Sequence, residues 1–259
     1  MTTIQYVSDL HLRDENFSWK DFSVNNFGIL ILFGDIIDSF DFRDNLIKLF
    51  DGYQNETHYS KVVFIAGNHE YYCHSKLFPM SYIKNFYRNL CDKYSKIEFL
   101  DNNCLLIDNT IIIGTTLWSH IPEKMYFCNL PIYDIEIKPI SLDAYNKLFD
   151  ESMDFIKKNI EKYKKEKYHI VIATHHCPMF DKKMKEKYLK NPDRVNRFLY
   201  HSNLTFLMDF YGDWIHGHTH LNVDEKVNNV NVRTNCFHES PGFRKGAHFF
   251  SVVRDYIFY

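Results

Sequence analysis

The sequence predicts an α/β fold in which two β-sheets pack face to face and helices cover the outside. Three observations predict it. Short apolar, β-rich runs alternate with longer helical patterns. β-rich runs occur at both ends of the chain, which suggests two sheets rather than one. No internal repeat and no Pro/Gly/Ser-rich linker interrupts the 259 residues, so we read one domain, 1–259.

The elements follow in order. Residues 3–8 (TIQYVS) and 29–33 (ILILF) read as strands, and 43–51 as a helix. A third strand is expected over 62–66 (VVFIA), then a helix over 80–94. Strands at 97–100, 105–107 and 111–115 precede a long helix over 142–165. The strand 169–174 (HIVIAT) is followed by a helix over 194–211. Strands at 214–216, 230–234 and 248–253 complete the pattern.

Composition removes several classes. Lys+Arg is 31 against 33 Asp+Glu, a net charge of −2, so nothing drives the chain as a whole toward nucleic acid or an anionic membrane. The N-terminal MTTIQYVSDLHL lacks a basic start followed by an apolar stretch, and no secretory signal is expected. The apolar runs are strand-sized, far short of a membrane span. The six cysteines are scattered with no CxxC pair, which argues against a Cys-rich zinc site and fits a reducing cytosol. The lysine-rich stretch 157–167 is broken by Glu161 and Glu166 and reads as a solvated helix face. So does 182–190. Two counts stand out: 14 histidines and only 9 glycines.

Those residues gather where predicted strands end. The blocks are Asp9-Leu10-His11, Gly34-Asp35, Gly67-Asn68-His69-Glu70, His175-His176, and Gly217-His218-Thr219-His220. Side-chain alternation along a strand would put Asp9 and His11 on one face, and likewise His218 and His220. In open α/β sheets, sites form outside the carboxyl ends of strands. A DxH is expected about once by chance in this composition, a GHxH roughly 0.03 times, and GNH followed by an acid roughly 0.005 times. Taken singly, each block has an ordinary explanation, such as a turn or N-cap at Asp9 or a left-handed turn at Asn68 beside Gly67. The ordered set of five does not.

Asp, His and Asn without Cys suit Mn²⁺, Fe²⁺/Fe³⁺ or Zn²⁺. One carboxylate can bridge two such cations ~3.5–4 Å apart, an arrangement that clamps a phosphate and holds a hydroxide for in-line attack. An imidazole alongside can protonate the leaving oxygen.

DxH, GD, GNH[DE], H and GHxH, in that order, resemble the signature of the calcineurin-like metallophosphoesterase superfamily, over residues 9–220. Gly114-Thr115-Thr116-Leu117-Trp118-Ser119, Thr174-His175-His176-Cys177-Pro178 and 214–220 are similar to a group of compact bacterial-type phosphoesterases. The resemblance implies a two-sheet αββα sandwich and a dinuclear metal centre. It implies Asp9, His11 and His220 on the first metal, and Asn68, His175 and His218 on the second. Asp35 would bridge both, His69 would be the proton donor, and Asp38 would orient His69 by accepting its other N–H. His176 is expected beside the ligands, and His216 deeper in its strand. Tyr71 and Tyr72 are expected to pack in the core. The loop 235–243 resembles an Asn-Pro-x-Gly-aromatic loop of related enzymes, with residues inserted between Asn235 and Pro241.

Within the superfamily, phosphoprotein phosphatases carry GDxVDRG and an Arg before GNHE. Here Ser39 and Phe40 follow Asp38, and Ala66 precedes Gly67, so arginines that grip phosphate are missing at those places. Repair nucleases of the superfamily add a DNA-capping domain, whereas this chain ends about forty residues after GHxH. The expectation is a phosphodiesterase acting on a small soluble, nucleotide-like diester. Phosphomonoesterase or protein phosphatase, nuclease, and non-catalytic scaffold are the alternatives. The sequence leaves metal identities and oligomeric state open.

Overall fold

The computed structural model describes residues 3–14, 17, 28–55, 59–123, 130–180, 197–237 and 254–257. Among these, the strands form two sheets. The first has the order β11-β1-β2-β3-β4: β1 (Thr3–Val7), β2 (Gly28–Phe33), β3 (Tyr59–Ile65) and β4 (Ile97–Phe99) run parallel, and β11 (Arg254–Ile257) lies antiparallel on β1. The second has the order β5-β6-β7-β8-β10-β9. Its strands are β5 (Asn103–Ile107), β6 (Thr110–Thr115), β7 (His169–Thr174), β8 (Gly212–Ile215), β9 (Asp224–Val227) and β10 (Val230–Arg233). The β6-β7-β8-β10 pairs are parallel, and β5 and β9 are antiparallel at the edges.

The apolar strands divide their residues between two layers. Ile29, Ile31 and Phe33 of β2, Val63 and Ile65 of β3, Ile112 of β6, and Val171 and Ala173 of β7 share the cluster between the sheets. Their neighbours Leu30, Leu32, Val62, Phe64, Ile113 and Ile172 belong to the helix-side cluster. Period-2 alternation thus buries both faces, which is why these strands read as unbroken apolar runs. Each buried Ile, Leu or Phe contributes about 1.5–3 kcal/mol over an exposed one.

Helix α1 (Arg43–Asn55) buries Leu46, Leu49, Phe50 and Tyr53 at helical spacing, with Phe50 edge-on to Phe64 at 5.4 Å. Helix α2 (Met80–Cys91) sets Tyr87 against the same Phe64, also at 5.4 Å. Helix α3 (Leu142–Lys165) starts at Ser141, whose hydroxyl accepts the Ala144 N–H at 3.2 Å. It buries Tyr145, Phe149, Ser152, Ile156 and Ile160 and keeps Lys157, Lys158, Lys162, Lys164 and Lys165 in solvent. The basic run is a solvated face, and its last three lysines suit the helix C-terminus.

Three expectations need correction. The helix expected over 194–211 is absent where the chain is described. Two single 3₁₀ turns stand instead, Arg197–Leu199 and Thr205–Leu207. The backbone there is drawn off to neighbours: Cys177 N donates to Tyr200 O at 3.3 Å, Ser202 N to Cys177 O at 3.1 Å, and Leu204 N to Pro178 O at 2.8 Å. Asn203 Oδ1 takes the Thr205 hydroxyl at 2.8 Å in a local turn that competes with helix. Second, β9 was not expected, because its sequence DEKV carries three charges. It survives as an edge strand paired with β10 across Asn228-Asn229, with Asn228 left-handed at φ 54°. Third, the helix expected to 94 ends at Cys91. The strand expected over 248–253, the lysines of 182–190 and most of the loop 235–243 lie outside the described residues.

Candidate metal centre

Strands β1, β2, β3, β7 and β8 each end just before one of the five blocks. The expected alternation does not bring the pairs together, because the strands stop first: β1 at Val7 and β8 at Ile215. Asp9 (φ 59°), His11 (φ 47°), Asp35 (φ 52°), His218 (φ 66°) and His220 (φ 51°) are left-handed instead. Non-glycine residues seldom adopt this region, and strain of about 1–3 kcal/mol each persists only where surroundings enforce it. Here the loops are cross-linked. Asp9 N donates to Gly34 O at 3.0 Å, His11 N to Asp35 O at 2.9 Å, Gly217 N to His175 O at 2.9 Å, and His218 N to Asp9 Oδ1 at 3.0 Å. Asn68 is right-handed (φ −73°), which removes the left-handed turn as its explanation. Gly34 is left-handed at φ 94°, and a Cβ there would overlap the His175 ring; one on Gly67 would overlap Asp35 Oδ1.

The side chains form adjoining groups: Asp9, His11 and His220; Asp35, His175 and His218; and His11, Asp38 and His69. In the first, His11 Nε2 lies 3.1 Å from His220 Nε2, which lies 3.3 Å from Asp9 Oδ1. In the second, His175 Nε2 lies 3.0 Å from Asn68 Oδ1 and 3.2 Å from Asp35 Oδ2. Ligand atoms sharing one cation at about 2.1 Å must stand roughly 3.0–3.4 Å apart, in octahedral and tetrahedral geometry respectively. All four spacings fall in that range. Asp35 Oδ2 also lies 3.9 Å from His11 Nε2, so this carboxylate faces both groups.

The second nitrogen of each ring fixes which atom points inward. His175 Nδ1 meets Phe33 O at 3.0 Å, which leaves Nε2 facing Asp35. His218 Nε2 meets Leu199 O at 3.2 Å and leaves Nδ1. His11 Nδ1 faces Asp38 Oδ1 at 3.3 Å and leaves Nε2. The donor set fits divalent cations.

His69 turns Nδ1 toward Asp38, whose main chain lies nearer to it than the carboxylate. Its Nδ1 donates to the main-chain carbonyl of Asp38 at 2.7 Å, while Asp38 Oδ1 is 3.5 Å away. The Asp38 carboxylate reaches His11, and is gripped by Arg13 at 2.7 and 2.9 Å. His69 Nε2 faces Asp35 Oδ2 at 4.0 Å.

Charge follows from burial against neighbours. Burial opposes ionisation of Asp35, but His175, His69 and His11 hold its carboxyl well below the usual range. Burial opposes protonation of His69 and His175, yet Asp35 lifts both to about 9. Burial and the nearby His175 push His218 well below 6.5. Burial likewise pushes His176 down, helped by His218.

Several contributors escaped the sequence reading. Glu70 is fully buried, and its carboxylate accepts the N–H of Asp35 (2.8 Å), Ile36 (2.7 Å), Ile37 (3.2 Å) and Gly67 (2.6 Å). The acid after GNH was its only signal. Tyr200 stacks on His218 at 4.8 Å, and the His176 ring lies 4.2 Å from the same imidazole. Nothing in the sequence marked Arg13 or Tyr200. Tyr71 is in the core as expected, whereas Tyr72 lines the cavity at the site. His216 is fully buried, 3.6 Å from Cys177 Sγ.

The two-sheet fold thus carries, on the loops after its strands, side-chain groups that could hold metal ions. The family model for calcineurin-like phosphoesterases matches residues 3–222, and the chain belongs to that family. An uncharacterised protein of Acanthamoeba polyphaga mimivirus is 29% identical over 279 residues, covering 96% of each chain. The crystal structure of phosphopantetheinyl hydrolase from Mycobacterium tuberculosis aligns with a TM-score of 0.65 at 15% identity, over 99% of this chain and 96% of that one. A dimetal phosphatase from Danio rerio aligns at 0.49 with 14% identity, over 90% and 86%. Among the described residues, no helix is long and apolar enough to cross a membrane.

Proposed function

We propose that the chain is a single-domain phosphodiesterase acting on a small soluble, nucleotide-like phosphodiester, with two divalent cations (Mn²⁺, Fe²⁺/Fe³⁺ or Zn²⁺). The observation that carries this reading is Asp35 Oδ2, placed between two ligand groups with coordination-like spacings. Asp9, His11 and His220 hold one cation, and Asn68, His175 and His218 the other, with Asp35 shared. Such a pair supplies an activated water and neutralises charge on the phosphoryl oxygens. His69 Nε2 faces the shared cavity and gives its proton to the leaving oxygen. The Asp38 carbonyl accepts the Nδ1–H and fixes the ring's orientation, and Nε2 carries its proton in the imidazolium form that Asp35 favours by raising the pKa to about 9.

The phosphopantetheinyl hydrolase of similar fold supports including a pantetheine phosphodiester among trial substrates. The six scattered cysteines, with no CxxC pair, support a reducing, cytosolic setting. The test is turnover with Mn²⁺ of bis(p-nitrophenyl) phosphate, p-nitrophenyl phosphate, cyclic nucleotides, dinucleotides, a pantetheine phosphodiester and single-stranded DNA. Diester hydrolysis that stops on Asp35→Ala and His69→Ala is expected. Turnover of monoesters alone contradicts the diesterase reading, and strand cleavage with steep salt dependence would favour a nuclease.

A further inference from the structure

We infer that the substrate's organic part is a neutral, flat or apolar group seated in an aromatic half of the same cavity; the inference rests on the phosphoester reading above. The cavity is about 450 Å³, within the ~300–1,000 Å³ of pockets that enclose drug-sized ligands. Its floor includes four of the candidate ligands, Asp35, Asn68, His218 and His220, with His69. Its other wall is Tyr72, Leu130, Tyr145, Leu199 and Tyr200.

The aromatic wall begins where the ligands end. The Tyr72 ring is 4.6 Å from that of His69, and its hydroxyl accepts the Asn68 amide at 2.8 Å. Tyr200 lies nearly parallel to His218, at 28°. A phosphate held among these ligands therefore shares one cavity with the Tyr72 and Tyr200 rings. The wall is pre-set as well: Trp118 packs edge-on to Tyr145 at 5.4 Å, and Ser119 Oγ shares a hydrogen bond with its hydroxyl at 3.1 Å. Rings held in this way gain from covering a flat apolar surface without first being ordered.

Charge points the same way. Among the described residues lining the cavity there is no Lys or Arg. Among the described residues, the tyrosine side of the cavity offers no fixed cation to a second phosphate or a carboxylate. A neutral ring loses only water there.

The test is calorimetric binding of three phosphonates to the Mn²⁺-loaded full chain. Methylphosphonate, phenylphosphonate and phosphonoacetate place the same group on the floor and differ only in what meets the wall. Phenylphosphonate should bind at least tenfold tighter than methylphosphonate, and phosphonoacetate no tighter than methylphosphonate. Tyr200→Ala and Leu130→Ala should each bring the phenyl-to-methyl ratio to within about threefold. The ratio is unaffected by damage to His218, which weakens all three ligands alike. Equal affinities, or phosphonoacetate binding tightest, overturn this inference and leave the phosphoester reading standing. Failure of all three to bind overturns that reading, and this inference with it.

Discussion

The Glu70 carboxylate accepts the main-chain N–H of Asp35 at 2.8 Å, so the residue placed between the two ligand groups is held from behind by a second, buried acid. The same carboxylate takes the N–H groups of Ile36, Ile37 and Gly67, tying the loop after β2 to the loop after β3. Charge-assisted bonds to buried amides are worth about twice neutral ones. Burial, with Asp35 nearby, raises the Glu70 pKa, a cost the four N–H groups partly offset.

Glu70→Gln should therefore act at a distance. The amide keeps the shape but sets an NH₂ against backbone donors, and the Asp35 loop shifts. Mn²⁺ affinity should fall about 10–100-fold, the range seen when groups supporting metal ligands are lost. Titration calorimetry reads this directly; unchanged affinity would confine Glu70 to folding.

Asp38→Asn separates two roles. His69 is held by the Asp38 main-chain carbonyl, which any substitution keeps, whereas His11 meets the carboxylate. Burial opposes ionisation of Asp38, but His11, His69 and Arg13 hold it well below the usual range. The variant should lose Mn²⁺ affinity about tenfold or more. If kcat collapses while Mn²⁺ affinity stays intact, the carboxylate serves His69 instead.

Gly67→Ala should be severe for its size. The new Cβ would overlap Asp35 Oδ1 and the Asp35 N–H. Overpacking of this kind costs about 1–3 kcal/mol. Urea unfolding should report that loss, and Mn²⁺ should no longer protect the variant. A stability matching the parent protein would show that the loops yield.

Stability should respond to pH in opposite ways with and without metal. His69 and His175 are raised from 6.5 to about 9, so the metal-free fold binds protons that the unfolded chain has already lost. Their contribution is complete below pH 6.5 and fades as pH climbs to 9. His176 and His218 are depressed, so stability should also fall as pH drops below 6.5. The metal-free Tm should peak near pH 6.5. With Mn²⁺, whose ligands must be deprotonated, protection should instead grow from pH 6.5 to 9. Melting curves in chelator and in Mn²⁺ check this; parallel curves would separate the histidines from the metal.

Much of this architecture was legible in the residues. The runs ILILF and VVFIA appear as β2 and β3, and α3 spans the residues its apolar spacing predicts, because both patterns are local. Asp9, His11 and His220 stand together, as do Asp35, His175 and His218, and His11, Asp38 and His69. The reason for their convergence was not legible, since left-handed backbone at Asp9, His11, His218 and His220 is imposed by bonds between distant loops. Segment 194–211 was misread for the same reason: its helical spacing is real, but Cys177 and Pro178 take its backbone groups. Glu70, Arg13 and Tyr200 act through neighbours far away in sequence, which composition and spacing do not reveal.

Asp35 as a shared ligand is the point most directly open to measurement. Anomalous diffraction from Mn²⁺-soaked crystals should place two peaks ~3.5–4 Å apart, with Asp35 touching both. Asp9, His11 and His220 should surround one, and Asn68, His175 and His218 the other. A single cation, or two that do not share Asp35, would contradict the account.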